Sequence, residues 1–384
     1  MPPPAPVLTL RRLNRATLAR QGLLEPMPPA PIGRLVHALG SLQAQHPDWP
    51  PLALHARLAP GTDADLTAAR RAREAVRASL MRMTVHVVTA DDFWPMSTIS
   101  LPYRRRQWRL LYRQDPVSSP LARRIAARHT AVLEAMRERP LGISEIERLM
   151  AQGLAEEDYL PNRGLWRHFS GAVPLVQVPY DGETYGRQRY VPAVDWLGPP
   201  PDSARDPEAA ATHVAAVYLA AFGPASVDDL VAYVGRNDSV TRWRAAVERL
   251  GRRLARFTDE DGRQLVDLVD APRPEPETPA PPRLLARWDS LLTAFGTRHR
   301  ARILPPERQA AVITRNGDVL PTFLVDGMVA GTWLPRRDAN GQRRAELRPF
   351  GRLRPEDRDA LEAEAARLLP LLRDGAFSRW PGTD

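Results

Sequence analysis

Two glutamines one residue apart, Gln43 and Gln45, stand in the stretch Leu39-Gly-Ser-Leu-Gln43-Ala-Gln45-His-Pro-Asp-Trp-Pro-Pro-Leu52. A carboxamide does not ionise, so it is no strong general base. It can accept a hydrogen bond from water and hold that water in place. That suffices only where the leaving group departs largely by itself. Two amides at a helix end also read, taken alone, as decoration of a C-terminus.

The rest of the sequence narrows the chemistry by what it lacks. Cysteine is absent, which excludes disulfides, thiol nucleophiles, iron–sulfur clusters and Cys-ligated zinc. All 54 basic residues are arginine, so there is no lysine Schiff base, Walker lysine or kinase-type lysine. The eight His are scattered, without His-Glu-x-x-His; His86 and His213 read as packed or surface residues. No Gly-rich phosphate loop follows a strand, and Gly-x-Ser-x-Gly is missing.

The elements that must carry the glutamines follow from periodicity. Ile32, Leu35, Val36, Leu39 and Leu42 predict a helix over 32–42 with both amides on its exit turn, and Pro47 disfavours the α conformation at His46. Asp48 is placed to cap the next helix. Further helices are expected near 8–21, 51–58 and 64–75, and a strand near 79–89. Helices over Leu121–Arg137, Glu145–Ala151 (capped by Ser144) and Asn162–Ser170 precede two strands around an Asp181-Gly182 turn within 174–191. The grammar repeats with helices over 208–222, after the Ser226 cap, and over Val240–Leu250, then strands Leu254–Thr258 and Gln264–Val269. The expected class is α+β, mainly helical, with three tandem winged-helix units: 1–119 carrying Gln-Ala-Gln, 120–197 with its hairpin, and 208–271. A segment over 283–384 is β-rich at 310–334 and 342–348 and closes on a helix over 356–373. Residues 198–207 form a Pro-rich break, and 272–282, with six prolines, read as a stiff linker.

Charge points to a polyanion. The chain carries +9. Arginine crowds 101–137, with Tyr103, Trp108 and Tyr112 interleaved. Arg236, Arg242 and Arg244 accompany the third helix of the middle unit, and Arg187 and Arg189 share the 174–191 hairpin with Tyr180 and Tyr185. The plain reading is solvated faces; the functional one is phosphate contacts with wings in a groove. The opening Met1-Pro-Pro-Pro-Ala-Pro lacks the apolar core of a signal peptide, and no run of about 18 apolar residues occurs. A cytoplasmic protein with no membrane partner, no metal and no cofactor is expected, monomeric by default.

Several motifs taken together resemble the winged-helix DNA glycosylases typified by AlkZ and YcaQ, over nearly the whole chain. They are Leu10-Arg-Arg-Leu13 to Gln21-Gly-Leu-Leu24, Gln-Ala-Gln at 43–45, Met81-Arg-Met-Thr-Val-His-Val-Val-Thr-Ala-Asp-Asp92, Arg287-Trp-Asp-Ser-Leu-Leu292 and Val325-Asp-Gly-Met-Val-Ala-Gly-Thr-Trp333. Gln rather than Asp at 45 matches the AlkZ-like branch. Met83 stands where the family usually has Gly, and Trp288-Asp-Ser where Phe-Asp-Asn is common; both departures bear on the lesion pocket.

The resemblance implies a monofunctional DNA glycosylase, without lyase activity, acting on double-stranded DNA that contains alkylated purines. Gln43 and Gln45 would be its catalytic residues, hydrolysing the N-glycosidic bond of N7-alkylated, cationic purines. Bulky or crosslinking natural-product adducts fall in that class, in DNA repair or in antibiotic self-resistance. His46, Asp48, His86, Trp288 and Trp333 are candidates to support the site. Tyr180, Arg187, Arg189, Arg236, Arg242 and Arg244 are candidates to bind DNA. Two other readings stand beside it: a non-enzymatic winged-helix DNA-binding regulator, and a drug-sequestering resistance protein using Trp288 and Trp333 in an apolar pocket.

Overall fold

A computed structural model describes residues 5–180, 183, 186–235 and 239–374. Strand β1 (Val7–Leu8) leads into α1 (Leu10–Arg20). Then come α2 (Ile32–Ala38), β2 (Leu42–Gln43), α3 (Trp49–His55), α4 (Leu66–Arg71), β3 (Ala75–Ser79), β4 (Val85–Thr89) and the 23-residue α5 (Ala90–Tyr112). Next are α6 (Pro120–Ala126), α7 (His129–Glu138), α8 (Ile143–Ala151), α9 (Gly164–Ala172), β5 (Leu175–Gln177) and β6 (Tyr190–Pro192). Short α10 (Ala193–Leu197) and α11 (Asp202–Arg205) precede α12 (Pro207–Phe222), α13 (Val227–Val234), α14 (Val240–Glu248), β7 (Leu254–Asp259) and β8 (Gln264–Leu268). The chain closes with β9 (Arg283–Leu285), α15 (Ser290–Thr293), α16 (Gln309–Val312), β10 (Thr322–Val325), β11 (Met328–Arg337), β12 (Arg343–Pro349) and α17 (Pro355–Leu368).

The fold is α+β. The helix–helix–helix–hairpin order read over 208–271 is present as α12, α13, α14, β7 and β8. Ser226 accepts from the Asp229 amide in a capping box, starting α13. Helix α12 is buried nearly all round: Ala210, Ala211, Val214, Ala215, Tyr218 and Phe222 are inside. An Ala-rich helix suits that central place, because it lets α5 and α14 approach closely.

Two expectations are corrected, and one helix that none of them covered is present. Helix α5 is continuous through Pro95 and Pro102. Interior prolines argue against such a helix, but its flanks are held by α12 and α9. Ser144 lies inside α8, whose N-cap is Gly142. The 272–282 strand of prolines is no free spacer. Arg11, Arg15 and Arg20 of α1 donate to the carbonyls of Pro276, Thr278 and Pro272, and Arg12 pairs with Glu275 at 2.8 Å. It is a strap fastened along α1.

Two sheets cross the sequence divisions. The five-stranded sheet has the order β2-β4-β3-β5-β6, so the N-terminal strands and the 174–191 hairpin share one ladder. Arg77 of β3 faces Gln177 of β5 in its register. The three-stranded sheet is β1-β7-β8, with β1 parallel to β7. The C-terminal sheet, β12-β11-β10-β9, is antiparallel and covered by α17.

Candidate active site and nucleic-acid interface

The glutamines are not on a helix exit. Helix α2 stops at Ala38, and Gly40 takes a positive φ of 74° where an added Cβ would meet Ala221 at 2.9 Å. A left-handed glycine past a helix end frees the chain to turn. Residues 42–43 then pair antiparallel with β4, setting Leu42 opposite Val87 and Gln43 opposite His86. The Ala44 amide donates to the Val85 carbonyl at 2.7 Å, and the Val85 amide donates to Oε1 of Gln45 at 3.1 Å. Strand β2 ends at Gln43, and Gln45 lies in the bend just beyond it, where its Oε1 takes the Val85 amide in place of a ladder carbonyl; both carboxamides thus lie beside β4 at the edge of the five-stranded sheet. Gln43 is 8% exposed and Gln45 is half-buried.

Distant residues fix the Gln43 amide. Its Oε1 accepts from Thr293 Oγ1 at 3.1 Å and Arg82 Nη2 at 3.3 Å. A guanidinium only donates, so this contact assigns the oxygen. Arg82 also donates to the Tyr233 carbonyl and lies 5.3 Å from the Tyr233 ring. Arg82 and Met83 have φ of 54° and 58°, left-handed values that cost of order 1–3 kcal/mol each in non-glycine residues and tend to gather at working sites. Met83 is where the family pattern has glycine. Thr293 ends α15, which Asp289 caps while forming a buried ion pair with Arg57 at 2.7 Å. Ser290 Oγ donates to the Ser41 carbonyl at 2.9 Å. From the other side, Arg77 donates to the Ala44 carbonyl at 3.1 and 2.8 Å and pairs with buried Glu183 at 2.7 Å. Arg70 holds the second Glu183 oxygen at 2.8 Å. The Gln43-Ala44-Gln45 segment is thus tied to α15, to the Arg82 turn and to the hairpin.

Neither histidine beside the glutamines titrates near neutrality. His86 is fully buried, and burial together with Arg82 pushes it down to about 3. Burial, Arg77, Arg287 and Arg373 push His46 down to about 4. Its Nδ1 lies 3.3 Å from Asp48, whose carboxyl burial raises above its usual value. Asp48 sits at the start of α3 but makes no capping hydrogen bond, contrary to expectation. Among the described residues, no group of three or more His, Asp or Glu is arranged to hold a metal ion. No described helix is long and apolar enough to cross a membrane.

The other expected residues scatter. Trp333 is fully buried, edge-on to Trp49 at 5.7 Å with its indole N–H on the Leu285 carbonyl; it is core and cannot touch a ligand. Trp288 is half-buried with φ 55° and lies beneath Arg287 at 4.5 Å. Tyr180 donates to the Arg187 carbonyl across the hairpin, Arg187 is exposed, and Arg189 is paired with Glu145. Arg242 donates to the Pro207 carbonyl at 3.1 Å. Exposed Arg244 lines a cavity of about 460 Å³ with Arg263, Arg298 and Asp228. Arg236, Asp181, Gly182 and Tyr185 lie outside the described residues. Sequence reasoning missed Arg82, Thr293, Arg77 and Glu183. Arg82 lay inside a quoted motif, whereas Thr293 is 250 positions from its partner and gave no signal.

Comparison with known proteins adds three findings. The model of the AlkZ-like DNA glycosylase family matches residues 36–371. The chain is 32% identical over 132 residues to the interstrand DNA cross-link repair glycosylase of Streptomyces sahachiroi; the match covers 33% of this chain and 35% of that relative, so the chain spans about a third of the length of the curated relative it matches. The solved structure of the Streptomyces sahachiroi DNA glycosylase AlkZ is similar at a TM-score of 0.75 and 21% identity, over 96% of this chain and 98% of that one, a likeness of fold.

Proposed function

Because the chain belongs to the AlkZ-like DNA glycosylase family, we propose that it removes N7-alkylated purines from duplex DNA by hydrolysing the N-glycosidic bond. One observation carries the reading: two uncharged carboxamides lie beside β4 at a sheet edge where His46 and His86 are both neutral at physiological pH. Such a site has no strong base for water and no strong acid for a leaving group. A purine alkylated at N7 needs neither, since it is already cationic and leaves neutral. The sugar becomes oxocarbenium-like, as in glycoside hydrolysis.

The hydrogen bonds divide the labour. Both acceptor directions of Gln43 Oε1 are taken by Thr293 and Arg82. Its Nε2 donates to no described residue and is the end left for a ligand. Gln45 Oε1 takes one donor, the Val85 amide, and keeps one lone pair. A water that accepts from Gln43 Nε2 and donates to Gln45 Oε1 turns its remaining lone pair toward C1′. Its proton passes to solvent after the C–O bond forms. The chain has no lysine, which leaves the N-terminal amine alone to form a Schiff base with the sugar, and on this reading cleavage stops at the abasic site. The name of the curated relative, an interstrand DNA cross-link repair glycosylase, extends the reading to crosslinking adducts. Exposed Arg187 on the hairpin and Arg244 on α14 serve as DNA contacts.

The test is duplex DNA carrying one N7-methylguanine, incubated with the protein and heated in alkali. Cleavage at the lesion is expected with the wild type and not with Gln43→Ala/Gln45→Ala. No cleavage by the wild type, or strand scission without alkali, refutes the proposal.

A further inference from the structure

We propose that the cavity between α5 and α9 seats one backbone phosphodiester of the DNA strand presented to the glutamines. The inference rests on the glycosylase reading and adds a binding site to it. The cavity measures about 210 Å³. Helix α5 contributes Arg104, Gln107, Trp108 and Leu111, spaced i, i+3, i+4, i+7, and Arg163, Trp166, Arg167 and Ser170 repeat that spacing at α9. Ser79 and Met83 close the end nearest the glutamines. Met83 follows Arg82, whose guanidinium holds Gln43, so an occupant here sits one residue from the positioning machinery.

The chemistry of the wall selects an anion. Three arginines and no carboxylate line it. The cavity beside Arg244, by contrast, contains Asp228 and Asp229. Arg104, Arg163 and Arg167 have no carboxylate within ion-pair distance among the described residues, although Glu147 behind the wall feels the charge of Arg163, whereas Arg20, Arg57, Arg70 and Arg77 are all paired. Arg104 spends one N–H on the Ser170 carbonyl at 3.0 Å and Arg167 its Nε on the Asn162 carbonyl at 3.0 Å. A guanidinium has five N–H donors, so each keeps donors for a ligand. Arg104 is half-buried, and burial lowers it to about 10 with no carboxylate among the groups that raise it. A tetrahedral oxyanion matches this forked donor set. The floor is firm: Trp108 is buried with its N–H on the Gly164 carbonyl at 3.2 Å.

The experiment measures binding of the full chain to undamaged duplex, which involves no bond cleavage. Its outcome therefore stands or falls apart from the lesion assay. In one arm, each linkage in turn carries a neutral methylphosphonate. The wild type should lose about tenfold in affinity at one linkage, the size of a charge-assisted contact. Arg163→Ala/Arg167→Ala should show no penalty at that linkage. In the second arm, its slope of log K against log salt should be shallower by about 0.9, one phosphate fewer. Arg163→Ala alone, at an exposed side chain, gives the same signs if the double variant melts early. A penalty that persists in the variants, or an unchanged slope, overturns the assignment. So does competition by inorganic phosphate at matched ionic strength with no linkage standing out, which gives the cavity to a free anion.

Discussion

Thr293→Val is the cleanest probe of how the Gln43 amide is held. The substitution keeps the branched shape and removes one hydroxyl, which donates to Gln43 Oε1 at 3.1 Å. A neutral hydrogen bond contributes about 1 kcal/mol net. If that holds the amide in its productive orientation, the single-turnover rate on N7-methylguanine duplex falls about fivefold. Arg82→Met removes the charged donor at 3.3 Å, worth about 2 kcal/mol or roughly 30-fold. Arg82 also anchors to the Tyr233 carbonyl, so its variant must be checked by thermal melting, whereas the Thr293 hydroxyl bonds, among the described residues, only to Gln43, Arg82 and the Ser290 carbonyl. The discriminating step is a double-mutant cycle. Against Gln43→Ala there is no amide to orient, and Thr293→Val should change the rate no further. Should Thr293→Val slow the Gln43→Ala protein as much as it slows the wild type, the orienting role is refuted.

Other outcomes follow from the same geometry. With His46 near 4 and His86 near 3, the rate of lesion cleavage should be flat from about pH 6 to pH 8.5; a unit-slope limb in that window, read from rate against pH, would assign a base instead, with Asp48 the first suspect. Glu183→Gln should destabilise the protein by about 3 kcal/mol in denaturant melts, because it strands Arg70 and Arg77 in the interior. It should also slow cleavage, since Arg77 loses the anchor from which it holds the Ala44 carbonyl. His299 is the pH-sensitive joint between α13 and the C-terminal segment. Burial works against its charged form, but Asp229 and Asp259 outweigh it and raise its pKa. The stabilisation is therefore full below the unfolded value of about 6.5 and lost as pH rises through the folded one. Melting of wild type and His299→Gln should accordingly converge toward pH 9, and a gap that widens there would reverse the assignment.

How far the fold was legible depended on whether an element's own residues decide it. Helix α12 carries an almost unbroken apolar run and α13 a burial stripe, each with a proline or serine start and a glycine stop, and their ends fell within a residue or two of expectation. Helix α5 did not announce itself, because Pro95 and Pro102 contradict helix locally and only packing on both flanks overrules them. The strap over 272–282 was misread for a related reason. Proline composition describes stiffness, not attachment, and the arginines that fasten it lie some 260 positions upstream in α1.

The candidate site shows the same limit more sharply. The Gln-Ala-Gln triplet was visible, but its setting was misplaced: periodicity from Ile32 to Leu42 ran past Gly40, where the backbone turns into an edge strand. That error matters chemically. On a helix exit the two amides would fan apart around the axis, each free to take either orientation. Beside β4 each is held by its own hydrogen bonds, and their partners differ. Gln43 has its oxygen committed to a cation and a hydroxyl, and Gln45 to one neutral backbone amide. Arg82 therefore makes the Gln43 oxygen a poor neighbour for a developing positive sugar. The less constrained Gln45 carbonyl is the dipole that can face it. On the proposed reaction the motif is asymmetric: Gln43 places the water, and Gln45 orients it and stabilises the charge. Removing Gln45 should then cost more in rate than removing Gln43, an ordering no reading of the triplet alone supplies.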